Sequence, residues 1–176
     1  DESLATDPEN RLSWRMNPRR LEFEGFRDAM LAAADSLDVR LGGPPLQLLG
    51  DAVVPRRTLY GFIDRMDVAP LLTTFDFPNP SVSSPLREST TVAPQSLYLM
   101  NHGFVFEIAS RVARRADLPT ALDARCEQLF RIVLSRPPTP TERSTAIAYL
   151  GAQPDENRWA QLVQTLLIAN EFLFID

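Results

Sequence analysis

The residues with the greatest capacity for chemistry lie in one irregular segment, 75–91, which combines prolines with short polar side chains. Carboxylate, amide and hydroxyl groups of this kind bond to nearby backbone or to a ligand. A calcium site needs about six oxygen ligands or more, but the Asp-x-Asp-x-Asp-Gly spacing is absent and only Asp76 and Glu88 supply carboxylates. We favour an ordered loop that bonds its own backbone. Its candidate binding residues are Asp76, Asn79, Ser83, Ser84 and Arg87.

Two of these side chains are expected to hold the loop in one shape. The Asp76 carboxylate is placed as in an Asx-turn, and we expect it to accept backbone N–H bonds from Asn79 or Ser81. Arg87 lies at the far end of the loop, and its guanidinium can bind a carboxylate through two donors. We therefore expect Asp76 and Arg87 to bond to the backbone, to each other or to the first helix.

Nucleophilic and metal chemistry lack their usual groups in this sequence. His102 is the single histidine and Cys126 the single cysteine. This excludes an internal disulfide, a thiolate-rich metal site and a zinc site with two or more histidines. The serine and threonine hydroxyls have one candidate base and no evident orienting group. We predict no catalytic residue, no metal ligand and no cofactor, and we expect Cys126 to be a small buried side chain.

A predicted first helix, Pro18–Leu37, carries a second group of polar candidates. Its apolar residues recur at helical spacing, so the opposite side is expected to face solvent. That polar side holds Arg20, Glu24, Arg27 and Asp28. Glu24 and Asp28 are one turn apart and could form an acid–base pair. We favour an exposed helix face stabilised by salt bridges.

The composition is that of a mildly acidic globular protein. Of the 176 residues, 44% are apolar, and the net charge is −5. The apolar share supports a buried core, and the negative charge disfavours nucleic acid as a partner. No apolar run approaches the ~20 residues of a membrane-spanning helix. Every basic residue is an arginine.

The second half of the chain is predicted to be helical. Helices are expected at Pro94–Arg115 with a break near His102-Gly103, at Thr120–Leu134, from the capping box at Thr139–Glu142 to Leu150, and from Asp155 onward. Leu97 and Leu166 lie on apolar stripes of the first and last of these helices, so we expect both in the core.

Segments 46–54 and 56–65 fit two alternatives, a small two-stranded ribbon or a helix. With the helices above, they predict a mainly α fold in a single domain, 1–176. We expect a bundle of four or five helices around a long ordered loop rich in proline and serine, with the two-stranded ribbon as the β alternative.

Three stretches resemble one protein family. They read RRLEFEGFRDAML at 19–31, FDFPNPSVSSPLR at 75–87 and NEFL at 170–173. The chain resembles the C-terminal part of the planctomycete PSD family, a domain of unknown function found C-terminal to planctomycete cytochrome-c-like (PSCyt) domains. The resemblance implies a portion of a larger extracytoplasmic protein, periplasmic or at the cell surface. It also implies upstream domains as partners, including a haem-bearing cytochrome-like domain, although this chain has no Cys-x-x-Cys-His motif to attach haem itself.

Two functions follow as alternatives from the residues and the resemblance. The favoured one is a non-catalytic binding or scaffolding module of an extracytoplasmic multidomain protein. The other is part of a hydrolytic or redox enzyme acting on a polysaccharide-like substrate, with its site completed by upstream domains. A cleft that joins the loop to Arg20, Arg27 or Arg57 and contains acidic residues would favour the enzyme. A filled loop and a flat surface would favour the module.

Overall fold

The computed structural model describes residues 2–50 and 52–175 as a set of helices with one short sheet. The elements are α1 (Glu2–Thr6), β1 (Arg19–Arg20), α2 (Phe23–Ala33), α3 (Pro70–Thr74), α4 (Ala93–Asn101), α5 (Gly103–Ala113), α6 (Leu122–Leu134), α7 (Pro140–Leu150), α8 (Glu156–Leu167), α9 (Asn170–Leu173) and β2 (Phe174–Ile175). The predicted mainly α fold is confirmed. Within the described ranges, no helix has both the length and the apolar character needed to cross a bilayer.

Helices α5 and α8 form the centre of the core and make the most extensive helix pair. Val105, Ile108 and Val112 on α5 are fully buried, as are Val163 and Leu167 on α8. Their spacing of three and four residues puts each set on one side of its helix. Helix α6 packs on this pair and buries Cys126, as predicted.

The helix boundaries after residue 92 follow the predicted start residues closely. His102 separates α4 from α5, and its Nδ1 accepts a hydrogen bond from the Phe104 backbone N at 3.2 Å. The capping box forms at the start of α7, where Thr139 and Glu142 bond reciprocally. The prediction for Leu97 is wrong, because its side chain is 54% exposed on the outer side of α4.

Helix α2 is shorter than predicted at both ends. It begins at Phe23 because Arg19 and Arg20 are drawn into an antiparallel pairing with β2, and the Leu21 backbone N donates to the Leu173 O at 2.8 Å. It ends at Ala33, shortly before Asp35 turns into the left-handed region with φ of 51°. Arg20 is therefore a strand residue and not part of the helix face.

The small sheet exists, but its predicted location is wrong. Among their described residues, segments 46–54 and 56–65 pair only at an isolated bridge between Leu46 and Gly61, and the second segment contains a 3₁₀ turn, Thr58–Tyr60. Backbone groups of residues 54, 56 and 58 bond instead to side chains of α2, as described below. A ladder between the two segments would have required those same groups.

Candidate functional site

The loop 75–91 is fixed to the core at its entrance by Phe75. Its ring is 5% exposed and lies 5.3 Å from the Phe23 ring and 5.2 Å from the Phe26 ring, both on α2. Asp76 follows with φ of 59°, a left-handed backbone that aspartate tolerates better than most residues. The chain thus turns sharply away from the core and presents the Asp76 carboxylate to the other end of the loop.

The Asp76 carboxylate closes the loop through Thr90. It accepts hydrogen bonds from the Thr90 backbone N at 2.9 Å and the Thr90 Oγ1 at 2.7 Å. The expected Asx-turn with Asn79 or Ser81 is wrong, since the Ser81 N donates to the Asn79 Oδ1 at 2.9 Å. The positive φ of Asp76 turns its side chain across the loop instead of along it.

Arg87 joins the loop to α2 with a single guanidinium. Its Nε donates to the Asp76 O at 2.9 Å, and its Nη1 lies 3.0 Å from both Glu24 carboxylate oxygens and 3.3 Å from Glu22. The guanidinium also lies over the Phe77 ring at 5.5 Å. The structure therefore brings together one predicted loop residue, Arg87, and one predicted helix residue, Glu24.

A buried amide, Gln95, completes this network and was not predicted as a site residue. The side chain is 1% exposed. Its Nε2 donates to the Thr74 O at 2.8 Å, and its Oε1 accepts from the Val92 N and from Arg20. Burial lowers the pKa of Arg20, and the nearby Asp76 partly opposes that effect. The sequence signal for Gln95 was its place at the third position of the helix, where glutamine often caps the helix start.

Arg27 is buried, contrary to its predicted place on an exposed face. The residue is 2% exposed and donates to the Val54 O at 2.8 Å and the Arg56 O at 3.0 Å. Its guanidinium also packs over the Phe104 ring at 5.2 Å. Burial has the largest influence on the pKa of the Arg27 guanidinium and lowers it, whereas the nearby Asp28 carboxylate raises it.

Asp28 binds the same segment, so Glu24 and Asp28 do not form a pair. The Asp28 carboxylate accepts from the Thr58 N and Oγ1, both at 2.7 Å, and from the Arg57 Nε at 3.3 Å. Glu24 faces Arg87 in the loop. The predicted polar face is thus split between two irregular segments that α2 holds in place.

Two cavities are lined mainly by residues of the loop. The first, of about 240 Å³, joins the loop to Arg20 and includes Glu22 and Glu88 in its lining. The second, of about 720 Å³, is lined by all five candidate loop residues: Asp76, Asn79, Ser83, Ser84 and Arg87. Several of these polar groups already have internal partners. The Ser84 Oγ, for example, donates to the Leu86 O at 2.7 Å.

A third cavity shares no lining residue with the first two and lies between the C-terminal helices. We call it the helical groove, a space of about 510 Å³ lined by Phe130, Leu134, Thr141, Glu142, Thr145, Ala146, Tyr149, Leu162, Thr165, Leu166, Ala169 and Glu171. Its lining is mainly apolar. Sequence reasoning missed it because the groove arises from the relative placement of α6, α7 and α8. No sequence signal indicated it, because the 45% exposure of Tyr149 on α7 is visible only in the structure.

One end of the helical groove carries an ion network centred on Arg136. The Arg136 guanidinium binds both Glu142 oxygens at 2.8 Å and both Glu171 oxygens at 2.6 Å. The hydrogen bonds from Arg136 and from the Thr139 backbone lower the pKa of Glu142 from about 4.5 to about 2. The two glutamates raise the pKa of Arg136.

Glu142→Gln is expected to reveal this lowered pKa as a pH-dependent loss of stability. The folded-state pKa is below the unfolded one, so the ionised carboxylate stabilises the fold above pH of about 4.5 and loses this effect as the pH falls towards 2. Urea midpoints should differ between wild type and variant at pH 6 and converge near pH 2. Glu127→Gln, which removes an exposed pair with Arg131, should have little effect at pH 6. A difference that is constant across this range would contradict the prediction.

Leu166→Ala tests how far the groove wall belongs to the core. We expect a loss of ~2 kcal/mol in the free energy of unfolding, the low end for a buried leucine, because part of the space can be filled from the open groove. Leu166 is 6% exposed, and Leu97 on α4 is the matched exposed leucine. Urea denaturation of both alanine variants measures the contrast, and equal losses would show that Leu166 is not a core residue.

Metal chemistry has no support among the residues that the structure describes. Within residues 2–50 and 52–175, no group of three or more histidine, cysteine, aspartate or glutamate side chains could hold a metal ion. Cys126 is buried, and desolvation raises the pKa of its thiol. A raised pKa disfavours the thiolate that nucleophilic chemistry requires.

Comparison with protein-family models finds one match. The model described as PSD1, protein of unknown function (DUF1553), matches residues 1–150. Comparisons with curated proteins and with solved structures find no match.

Proposed function

Because the chain belongs to the PSD1 family of proteins of unknown function, which carries no activity over to it, we propose from its geometry that it is a non-catalytic binding module. The observation that carries the proposal is the helical groove, which is open and mainly apolar. Concave apolar surfaces with a few polar groups are the usual form of binding sites. The groove therefore serves as the binding surface.

The polar candidates of the sequence support the same function by what they already bind. Asp76, Arg87, Arg27 and Asp28 each hold an irregular segment in place through several hydrogen bonds. Groups used in this way stabilise the surface and are less available to a reactant. A rigid scaffold with an apolar groove fits binding better than catalysis.

The partner is another domain of the same extracytoplasmic multidomain protein. The sequence resemblance supports upstream domains, including a haem-bearing cytochrome-like one, as the source of that partner. Domain interfaces within a chain are of the transient type and need only a modest apolar surface. The groove has that character.

An NMR titration with neighbouring domains tests the proposal. Separately produced domains are added to the ¹⁵N-labelled chain, and we expect amide shifts at Thr145, Tyr149 and Thr165. Thr145→Arg places a charge in the groove and should weaken binding at least tenfold. Ser144→Arg, one position away on α7 and outside the groove lining, should bind like wild type. Absence of binding, or shifts confined to the loop 75–91, would refute this assignment.

The cavity beside Arg20 favours a second candidate function, part of a hydrolytic enzyme acting on polysaccharide. An acidic cleft that joins the loop to Arg20 is the feature expected of an enzyme, and Glu22 and Glu88 line this cavity together with Arg20. Carboxylates in a cleft are the groups that glycoside hydrolysis uses. New reducing ends produced from soluble polysaccharide by the chain with its neighbouring domains, and lost in Glu88→Gln, would favour this function. If no new reducing ends appear, the hydrolytic function is contradicted and the binding module is the function that stands.

A further inference from the structure

We infer that the helical groove binds an amphipathic helix that carries a basic residue at one end of its apolar face, an inference that rests on the proposed function. The groove follows α7, whose 11 residues extend over about 16 Å at 1.5 Å per residue. That length matches about three turns of a second helix. Peptide helices bind such grooves through apolar residues at i, i+3, i+4 and i+7.

The shape of the lining favours side chains from a helix. Leu162, Leu166 and Ala146 form its buried base, and Tyr149 stands at its edge. Small residues such as Ala146 let a partner helix approach closely. The lining exposes more apolar than polar surface, as is usual for concave binding sites.

The charge at one end of the groove determines which charge the partner should carry there. Among the described lining residues only Glu142 and Glu171 carry a formal charge, and both bind the same guanidinium, that of Arg136. Two carboxylates and one guanidinium leave one negative charge at this end. A lysine or arginine on the partner would complete the balance, and an acidic residue would be repelled.

The neighbouring arginines do not supply that balance. Arg131 on α6 pairs with Glu127, and Arg143 on α7 pairs with Asp123. Arg136 itself already donates to both glutamates and to the Pro137 O. The uncompensated charge therefore remains at the groove end, where a partner residue can reach it.

Three fluorescent helical peptides of equal length test the inference by fluorescence polarisation with the intact chain. The first is amphipathic, with leucines at i, i+3, i+4 and i+7 and two lysines one turn beyond. The second replaces the lysines by glutamates, and the third replaces the leucines by serines and so lacks the apolar face. We expect the first to bind at least tenfold more tightly than the second. The third should not bind. High salt should reduce the preference.

Variants of the chain separate this inference from the proposed function. Glu171→Gln should remove the preference for the basic peptide, whereas Glu127→Gln outside the groove should keep it, and Thr145→Arg should abolish binding of both apolar peptides. Equal binding of the basic and acidic peptides overturns the charge inference and leaves the binding module intact. Absence of binding by every peptide, or binding that Thr145→Arg leaves unchanged, overturns the helix-binding groove itself.

Discussion

Arg27→Ala is expected to lower the free energy of unfolding by about 3–5 kcal/mol, the largest loss that we predict for a single substitution. The truncation leaves the Val54 and Arg56 carbonyls without their donor and opens a space beside the Phe104 ring. Unsatisfied buried acceptors and a large core cavity each cost on the order of 1–3 kcal/mol. Urea denaturation with two spectroscopic probes measures the loss.

Arg57→Ala is the matched control. Arg57 is the neighbouring arginine in the segment that Arg27 holds, and its pair with Asp28 at 3.3 Å is half exposed. Pairs of this kind contribute less than about 1 kcal/mol. The loss for Arg27→Lys should lie between the losses for the two alanine variants, because the lysine ammonium keeps the charge but not the planar set of donors. Equal losses for Arg27→Ala and Arg57→Ala would show that burial of Arg27 is not important for stability.

The helices after residue 92 were predictable because local residues decide them. Asp155 and Thr139 cap their helices with side chains, and the apolar stripe of α8 matches its buried face. Propensity, capping and periodicity agree there, so tertiary contacts only confirm the local preference. Leu97 is the exception, since an apolar residue on a half-buried helix can lie on either side of the buried stripe.

Residues 18–68 were predicted less well because contacts distant in sequence decide their structure. Arg20 leaves the helix for a strand whose partner, Phe174, lies at the other end of the chain. Arg27 has the polarity of a surface residue, and its burial is made favourable by acceptors at residues 54, 56 and 58 together with the Phe104 ring. Hydrophobic periodicity contains no information about such partners.

The candidate site shows the same division. The loop itself was evident from its prolines and short polar residues, and the five candidates share one cavity. Which donor the Asp76 carboxylate binds depends on one backbone angle, the positive φ of Asp76. The helical groove was not predictable, because it is a gap between helices and no single stretch of sequence encodes it.

Three of the arginines share a structural role that composition alone did not indicate. Arg115 donates to the Ala33 O, Arg125 to the Ala113 O and Arg158 to the Leu150 O. Each acceptor is the last residue of a helix, where backbone carbonyls lack intrahelical partners. A positive charge there also interacts favourably with the helix dipole. Arginine suits this role because its several donors can bind a carbonyl and a carboxylate at the same time.

Asp76→Ala and Arg87→Ala are each expected to lower the free energy of unfolding by ~2–4 kcal/mol and to open the loop 75–91. Loss of the carboxylate leaves the Thr90 N without its acceptor, and loss of the guanidinium frees Glu24 and the Asp76 carbonyl. A hydrogen-bonded charge that loses its partner costs this much when it is partly buried. Thermal melts should shift down, and thermolysin should cut the loop at least tenfold faster.

Ser83→Ala, at the exposed tip of the same loop, is the control and should melt and resist thermolysin like wild type. The double variant of Asp76 and Arg87 should lose less free energy of unfolding than the sum of the two single losses. Both side chains hold the same loop closed, so the second substitution has little effect once the first has opened the loop. Additive losses would mean that the two residues act on separate structures. If both single variants melt like wild type while binding of the neighbouring domains disappears, the loop is itself the binding site and its internal hydrogen bonds are not what fixes its shape.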